Sequence, residues 1–354
     1  MTKTIIWLTF ILAVFGLVMI SSAGAYLAQK NFGTSYYYLN HQFLYGFLPG
    51  LVLFFAALKT DYRKLKKISL PLIVAAAGFL ILVFVPGLGV SAGGAKRWVD
   101  FGFFSFQPAE ILKLALVVYL ASWLQGKKSA SGSVVAFLAI IFFIGILVVA
   151  QPDIGTLGIV IGIALSMFFV SGGRFKHFVG IILLIGLVFA SLIFFSPYRF
   201  ERFFTFLNPE FDIRGIGYHL NQSQIAIGKG GFAGLGFGKG EQKFGLLPEP
   251  VGDSIFAVVG EELGLVGMLS TILLLLFFVL SCFRLAKKTS DKFASLYAVG
   301  LGSWVGLQSF VNIASLSGLI PLTGVPLPFI SYGGTALAVL MAASGILVNM
   351  SKKA

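Results

Sequence analysis

Residues 134–172 read VVAFLAIIFFIGILVVAQPDIGTLGIVIGIALSMFFVSG. Two apolar runs, 134–151 and 154–172, meet at the polar sequence QPD, so only a tight turn fits between them. A membrane-spanning helix needs about 20 mainly apolar residues. The stretch therefore predicts two consecutive membrane helices.

The rest of the chain follows the same pattern. Of its 354 residues 58% are hydrophobic and 11% are charged, whereas a soluble domain carries about 25% charged residues. Eight further segments are long and apolar enough to span a membrane: 5–27, 41–58, 68–87, 107–125, 178–196, 253–283, 294–317 and 331–350. The first is too long for a signal peptide. We expect an all-α polytopic membrane protein, a single domain over residues 1–354, with about ten transmembrane helices. A large extracytoplasmic loop, about 197–252, separates helices seven and eight.

The distribution of charge predicts the orientation of the chain. The formal net charge is +13, but the basic residues are scattered between apolar runs, which favours topology signals over a nucleic-acid partner. With both termini in the cytoplasm, the inner loops, Lys3 and the tail hold 16 of the 26 Lys and Arg residues. The acids fall mostly on the outer side, so the groups suited to chemistry face outward. The single cysteine, Cys282, excludes an intramolecular disulfide.

Asp253 starts the eighth span, and a carboxylate at a membrane is costly and usually functional. On a helix, Ala257, Gly260 and Gly264 share its face. This face indicates tight helix packing with Asp253 as the helix N-cap, or a carboxylate above a cleft; the residues alone leave both open, and the two are compatible.

Two more carboxylates follow in the same segment. On a straight helix Glu261 lies roughly 12 Å deeper than Asp253 and about 80° around the axis. Glu262 points the opposite way. We expect structural support from both.

Charged residues also mark the start of the fourth span. Glu110 and Lys113 share one helix side, so they either pair with each other or Lys113 reaches a carboxylate such as Asp253. Lys96 and Arg97 precede Trp98; they form either an interfacial anchor or a phosphate-binding pair.

The long loop contains LNQSQIAI (220–227), which suits a short amphipathic helix, followed by seven glycines between residues 228 and 240. A nucleotide-binding P-loop is disfavoured because no buried strand precedes the glycines and no Gly-Lys-Ser/Thr helix start follows them. The segment GLIPLTGVPLPFISYGGT (318–335) breaks any helix, and Asn312 precedes it.

Six ordered blocks resemble the SEDS family (shape, elongation, division and sporulation), closest to its FtsW branch. They are GAKRW, FQPAEILKLALVVYLA, QPDIGT, QSQIAIGKGGFAGLGFGKGEQKFGLLPE, GDSIFAVVGEELG and GLIPLTGVPLPFISYGG, within residues 94–334. The family usually has HTDFIF where this chain has VGDSIF, Ser in place of Ala109, and Gln in place of His219. None of these departures removes a charged site residue.

The resemblance implies a peptidoglycan glycosyltransferase that polymerises lipid II, the undecaprenyl-pyrophosphoryl disaccharide-pentapeptide, outside the cytoplasmic membrane for cell division or cell shape. Asp253 falls on the family's essential aspartate and would act as general base. The expected substrate-binding residues are Lys96, Arg97, Glu110, Lys113, Arg214, Lys229, Lys239 and Lys243, with Glu261, Glu262 and Asn312 as structural support.

The sequence contains no Asp-x-Asp metal motif and no metal ligand is predicted, although a divalent cation (Mg²⁺ or Mn²⁺) bridging pyrophosphate and a carboxylate is compatible with it. The implied partners are a class B penicillin-binding transpeptidase and other proteins of the division or elongation complex. Two other functions fit ten helices with charges at the membrane: a lipid II flippase and a non-catalytic scaffold.

Overall fold

The computed structural model describes residues 2–92, 95–102, 104–126, 134–208 and 215–353. Within these ranges seven helices are long and apolar enough to cross a membrane: Thr2–Ala23, Tyr37–Lys59, Pro108–Gln125, Phe175–Phe194, Ile255–Lys288, Lys292–Leu316 and Gly334–Lys352. Three shorter apolar helices, Ser69–Leu82, Val134–Val149 and Ile154–Val170, occupy the remaining expected positions. The prediction of a polytopic helical protein with about ten spans is confirmed.

In chain order the helices are α1 (Thr2–Ala23), α2 (Ala25–Phe32), α3 (Tyr37–Gln42), a π-helical turn (Phe43–Phe47), α4 (Leu48–Lys59), α5 (Arg63–Lys67), α6 (Ser69–Leu82), α7 (Pro108–Gln125), α8 (Val134–Val149), α9 (Ile154–Val170), α10 (Phe175–Phe194), α11 (Pro197–Leu207), α12 (Ile216–Gly230), α13 (Ile255–Lys288), α14 (Lys292–Leu316) and α15 (Gly334–Lys352). The strands are β1 (Gly89–Ala92), β2 (Ala95–Asp100) and β3 (Ser105–Phe106).

The QPD sequence forms the expected tight turn between α8 and α9. Asp153 caps α9: its carboxylate accepts the N–H of Thr156 at 3.0 Å and the Thr156 hydroxyl at 2.8 Å. An aspartate at this position satisfies a helix N–H that would otherwise lack a partner in the membrane.

A small antiparallel sheet, ordered β1-β2-β3, connects α6 to α7. Val90 pairs with Trp98, and Val99 pairs with Phe106. The buried side chains of Val83, Val99 and Phe106 form its own small core. The sequence analysis predicted helices only and missed this small sheet. Lys96 and Arg97 lie on its strand β2.

α14 is the central helix of the bundle and packs against α7, α9 and α13. Close helix approach depends on glycine in places: a Cβ at Gly345 of α15 would lie 2.5 Å from the carbonyl oxygen of Phe54 in α4. Substitution there would force the two helices apart.

α13 consists of two helices that meet at Gly264. This residue has φ 64° and ψ −161°, which only glycine adopts readily. Residues 255–262 are all buried, whereas after the break Leu265, Val266 and Leu269 are exposed on the outside of the bundle. The straight helix assumed from the sequence is therefore wrong beyond Gly264. The break lies after Glu261 and Glu262, so the depth and direction predicted for these two residues relative to Asp253 stay predictions.

The small-residue face is packed rather than open. A Cβ at Gly260 would lie 3.2 Å from Ile227 of α12, and one at Gly264 would lie 2.6 Å from the carbonyl oxygen of Phe232. The long loop thus covers this face. The predicted tight packing of the small residues is confirmed at Gly260 and Gly264.

Residues 317–333 cross between α14 and α15 as irregular backbone, as the three prolines predict. The segment is packed inside protein: Val325, Leu327 and Ile330 are buried. Side chains of α14 bind its carbonyls, with Gln308 donating to Pro326 and Asn312 to Val325, each at 2.8 Å. Irregular backbone is tolerated at a membrane where its polar groups are satisfied in this way.

Candidate active site

Asp253 lies in a turn two residues before α13 begins. Ser254, not Asp253, is the residue that precedes the helix, so the predicted N-cap role of Asp253 is wrong. Its side chain is 17% exposed. The Oδ1 atom, however, is buried and has no hydrogen-bond partner. Oδ1 of Asp253 therefore does not cap the helix.

Three hydrogen bonds to backbone carbonyls hold the turn that carries Asp253 in place. The amide of Asn312 donates to the carbonyl of Asp253 at 2.7 Å, and the hydroxyl of Ser331 donates to that of Gly252 at 2.6 Å. The N–H of Tyr332 donates to the carbonyl of Val251 at 2.8 Å. The irregular segment 317–333 and α14 thus hold the backbone of the turn that carries Asp253.

The environment of Asp253 suits a proton acceptor. Burial raises its pKa to about 6, while the positive charge of Arg202 acts in the opposite direction. A carboxylate with this pKa is ionised at neutral pH and is more basic than an ordinary aspartate.

Three ionisable residues that sequence reasoning did not assign to the site surround Asp253. The imidazole Nε2 of His219 lies 4.0 Å from Oδ1 of Asp253. Glu249 reaches solvent, but partial desolvation and the negative charge of Asp253 raise its pKa. Arg202, on α11, is close enough to influence the pKa of both Asp253 and His219. Glu249 lies four residues before Asp253 in the same turn, whereas His219 and Arg202 belong to separate helices, α12 and α11.

Glu110 and Lys113 form a buried ion pair, each 2% exposed. The amine of Lys113 lies 2.8 Å from Glu110 Oε1 and 2.8 Å from Gln308 Oε1. It also lies 4.9 Å from the ring centre of Trp304. The two charges pair with each other, and the alternative in which Lys113 pairs directly with Asp253 is wrong.

Glu261 and Glu262 hold the glycine-rich loop. Glu261 accepts the backbone N–H of Glu241 at 2.9 Å and that of Gln242 at 3.1 Å. Glu262 accepts the hydroxyl of Ser22 at 2.6 Å and pairs with Lys243. The side chain of Lys243 is 3% exposed. Lys243, expected among the substrate-binding residues, is instead engaged in a buried ion pair that attaches the loop to α13.

The other predicted cations lie apart from one another. Arg97 is engaged by the QPD turn, with a hydrogen bond of 2.7 Å to the carbonyl of Pro152 and a distance of 3.8 Å to Asp153. Lys229 pairs with Glu241 at 2.9 Å on the surface. Lys96 and Lys239 are exposed. Arg214 lies outside the described residues. Substrate contact by any of these residues stays a prediction.

A cavity of about 690 Å³ opens beside the site, between α3, α4, the sheet and α15. Its lining is mainly apolar and rich in aromatic side chains, among them Tyr37, His41, Tyr45, Trp98, Phe106 and Tyr332. Tyr332 connects the cavity to the site because its N–H binds Val251, two residues before Asp253. The volume lies within the range of small-molecule and cofactor sites.

Within the described residues no group of three or more His, Cys, Asp or Glu side chains is arranged to hold a metal ion. Asp253 and Glu249 are the two carboxylates of the site. A divalent cation between Asp253 and a pyrophosphate stays a prediction.

Comparison with known proteins identifies the family. Residues 3–354 match the profile FTSW_RODA_SPOVE, described as "Cell cycle protein". The chain is 39% identical to stage V sporulation protein E of Bacillus subtilis, over 98% of this chain and 95% of that protein. It is 37% identical to a probable peptidoglycan glycosyltransferase FtsW of Geobacter metallireducens, over 97% of this chain and 92% of that protein.

Solved structures agree in fold. One similar solved structure belongs to a study of the structural coordination of polymerization and crosslinking by a peptidoglycan synthase complex. It aligns with a TM-score of 0.82 at 26% identity, over 99% of this chain and 97% of that chain. The rod shape determining protein RodA of Thermus thermophilus aligns with a TM-score of 0.73 at 25% identity, over 99% of this chain and 96% of that one. Because the family profile spans almost the whole sequence and the fold agrees, the chain belongs to the FtsW/RodA/SpoVE family, the SEDS proteins that its motifs resemble.

Proposed function

We propose that this protein is a peptidoglycan glycosyltransferase that polymerises lipid II at the outer face of the cytoplasmic membrane, with Asp253 as its general base. The observation that carries the proposal is the state of the Asp253 carboxylate. It is partly exposed, its Oδ1 makes no hydrogen bond, and its backbone is fixed from three sides. The names of relatives such as the Geobacter FtsW support the reaction class.

The chemistry needs one base and one set of cations. Asp253 removes the proton from the acceptor sugar hydroxyl as its oxygen attacks the anomeric carbon of the donor. The bond from that carbon to the pyrophosphate breaks, and undecaprenyl pyrophosphate leaves with the electron pair. Attack from the opposite face inverts the anomeric carbon.

Positive charge stabilises the leaving group. The positive charge of Arg202 acts on the pKa of Asp253, so Arg202 lies near the site. Lys96 and Lys239 are exposed and available to phosphate groups. Glu110 and Lys113 contribute indirectly because they are buried and bound to Gln308.

The aromatic cavity takes the lipid chain of the substrate. Its apolar lining suits a polyprenyl tail, and its border at Tyr332 lies next to the turn that carries Asp253. A lipid chain held there presents its pyrophosphate head toward the carboxylate.

The positive-inside rule supports an orientation with both termini in the cytoplasm and Asp253 outside. A class B penicillin-binding transpeptidase fits as partner, because a structural neighbour comes from a complex that couples polymerization and crosslinking.

The direct test is polymerisation of lipid II by the purified full chain, alone and with its cognate transpeptidase carrying an inactivated active-site serine. We expect glycan strands in a reaction that requires this chain. A chain that moves lipid II across vesicle membranes without forming polymer would instead be a flippase. Absence of both activities in the complete complex would leave only the scaffold function.

A further inference from the structure

One oxygen of the Asp253 carboxylate faces Gly324, in the irregular segment 317–333. Oδ1 of Asp253 is buried, whereas the side chain as a whole is 17% exposed. Gly324 is itself exposed and has φ 68°. Among the described residues beyond its chain neighbours, only Oδ2 of Asp253 comes within 4 Å of the position that a Cβ of Gly324 would take, at 3.6 Å. Open space beside Oδ2 therefore lies over Gly324, and glycine keeps that space free of side-chain atoms.

Thr323, the residue before Gly324, carries a hydroxyl without a partner. Oγ1 of Thr323 is buried and makes no hydrogen bond within the described part of the chain. The residue packs against the start of α9, where its Cβ lies 3.6 Å from the position that a Cβ of Gly155 would take. Buried polar groups in native proteins are nearly always paired, and leaving one unpaired is costly. An unpaired hydroxyl one residue from the contact with Asp253 therefore indicates a group that binds substrate.

A cation lies at the other end of this short stretch. Nη1 of Arg202, on α11, lies 3.5 Å from the carbonyl oxygen of Leu322. From Leu322 to Gly324 the backbone extends at most about 7 Å, so it passes from the guanidinium to the carboxylate over a short distance. In the proposed reaction the attacked carbon lies between the hydroxyl that Asp253 deprotonates and the departing pyrophosphate, which needs positive charge. Thr323 thus lies beside the position of the donor sugar.

We propose that Thr323 is a substrate-binding residue, whose hydroxyl forms a hydrogen bond with the donor sugar and orients the anomeric carbon between Asp253 and Arg202. A threonine hydroxyl both donates and accepts, as a sugar hydroxyl does. Gly324 leaves room for the acceptor hydroxyl at Oδ2 of Asp253. The inference rests on the proposed glycosyltransferase function. It adds a neutral contact to the sugar, whereas the residues that the sequence predicts to bind substrate are all charged.

Two substitutions at Thr323 separate binding from structure. Thr323→Val keeps the shape of the side chain and removes the hydroxyl. Because no described group binds this hydroxyl, the melting temperature should stay the same or rise. In lipid II polymerisation by the purified full chain, kcat/KM should fall by about tenfold, the effect of one lost hydrogen bond. Thr323→Ser keeps the hydroxyl and should retain most of the wild-type rate.

Thr9→Val is the matched control for the loss of a buried hydroxyl. The Thr9 hydroxyl donates to the carbonyl of Ile5 at 2.8 Å within α1. Its removal should leave kcat/KM unchanged, so a loss of rate in Thr323→Val alone reports a contact with the substrate.

Gly324→Ala tests the open space beside Asp253. The new Cβ would lie beside Oδ2, and kcat/KM should fall by about tenfold or more because the acceptor hydroxyl is displaced. Gly33→Ala is the control for backbone strain, because Gly33 has φ 70° and no described atom within 4 Å of its Cβ position. Both variants should lower the melting temperature to a similar extent, and only Gly324→Ala should lose rate.

Two results would overturn the inference: wild-type kcat/KM in Thr323→Val, or an equal loss of kcat/KM in Thr323→Val and Thr323→Ser. If Gly324→Ala does not fold, the comparison of the two Thr323 variants with the wild type decides alone. Failure of the proposed function looks different, because the wild-type chain would then form no polymer at all.

Discussion

The amide nitrogen of Asn312 lies 2.7 Å from the carbonyl oxygen of Asp253 and 2.8 Å from that of Val325. A single side chain of the central helix α14 therefore joins the turn of Asp253 to the irregular segment 317–333. One turn earlier on α14, Gln308 joins the same segment to Lys113. The buried Glu110–Lys113 ion pair is thus linked to the site through Gln308 and the backbone of segment 317–333, not through a contact with the Asp253 carboxylate.

We predict that Asn312→Leu lowers kcat and also destabilises the fold. One buried and one partly buried carbonyl would lose their donor, at a cost of up to about 1–3 kcal/mol each. The matched control is Asn349→Leu, because Asn349 donates to the carbonyl of Leu58 at 2.7 Å at the opposite end of the bundle. Melting temperatures and kcat measured together should show destabilisation of both variants, larger for Asn312→Leu because it removes two hydrogen bonds rather than one, but a loss of rate only for Asn312→Leu. Equal rates in the two variants would contradict the support role.

Lys113→Met should destabilise the protein by about 3–5 kcal/mol, because it leaves Glu110 charged and unpaired in the interior. The double variant Glu110→Met/Lys113→Met should recover most of the stability, since no buried charge remains. Activity should return with stability. Thermal unfolding and polymerisation assays on the same preparations check this. Full stability with no activity in the double variant would show that one of the two charges acts on the substrate.

Gly264→Ala should disrupt the contact between α13 and the glycine-rich loop. The backbone angles at Gly264 cost a non-glycine residue of the order of 1–3 kcal/mol, and the new Cβ would lie 2.3 Å from the backbone nitrogen of Gly234. Gly186→Ala on α10 is the control, because nothing lies within 4 Å of its Cβ position. Limited proteolysis of the loop and the melting temperature measure the effect. Unchanged protection of the loop in Gly264→Ala would contradict the two-helix geometry.

The rate should fall as the pH drops through the pKa of Asp253. Burial raises this pKa to about 6, so the carboxyl group is protonated and inactive below that pH and is an active base above it. The acid limb of kcat/KM against pH should have its midpoint near this value. A midpoint at the pKa of an ordinary exposed aspartate, or a rate that is flat down to acidic pH, would contradict the assignment.

The ten spans were predictable because apolar runs of sufficient length have few other structures available to them. The sheet was not, since β3 has only two residues and β1 and β2 are short strands between membrane helices. The break at Gly264 was also missed, because a glycine within an apolar run gives no sign that a loop 30 residues earlier in the chain packs against it.

Of the residues at the site, the sequence predicted Asp253 and its support Asn312, which donates to the carbonyl of Asp253. Three neighbours of Asp253 were not predicted: His219 on α12, Arg202 on α11, and Glu249 in the turn before α13. No sequence spacing predicts that α11 and α12 pack against this turn. The sequence predicts Lys243 among the substrate-binding residues, but Glu262 and Ser22 bind its amine. Ser22 lies 221 residues away in α1, so only the folded chain reveals this contact.

The most direct measurement is the rate of lipid II polymerisation by purified Asp253→Asn, which keeps the size of the side chain and removes its basicity. Asp61→Asn, at an exposed aspartate paired with Lys353, serves as the matched control. We predict that Asp253→Asn loses activity by about 100-fold or more with an unchanged melting temperature, while Asp61→Asn keeps the wild-type rate. Polymer formation by Asp253→Asn at the wild-type rate would contradict the assignment of Asp253 as the general base.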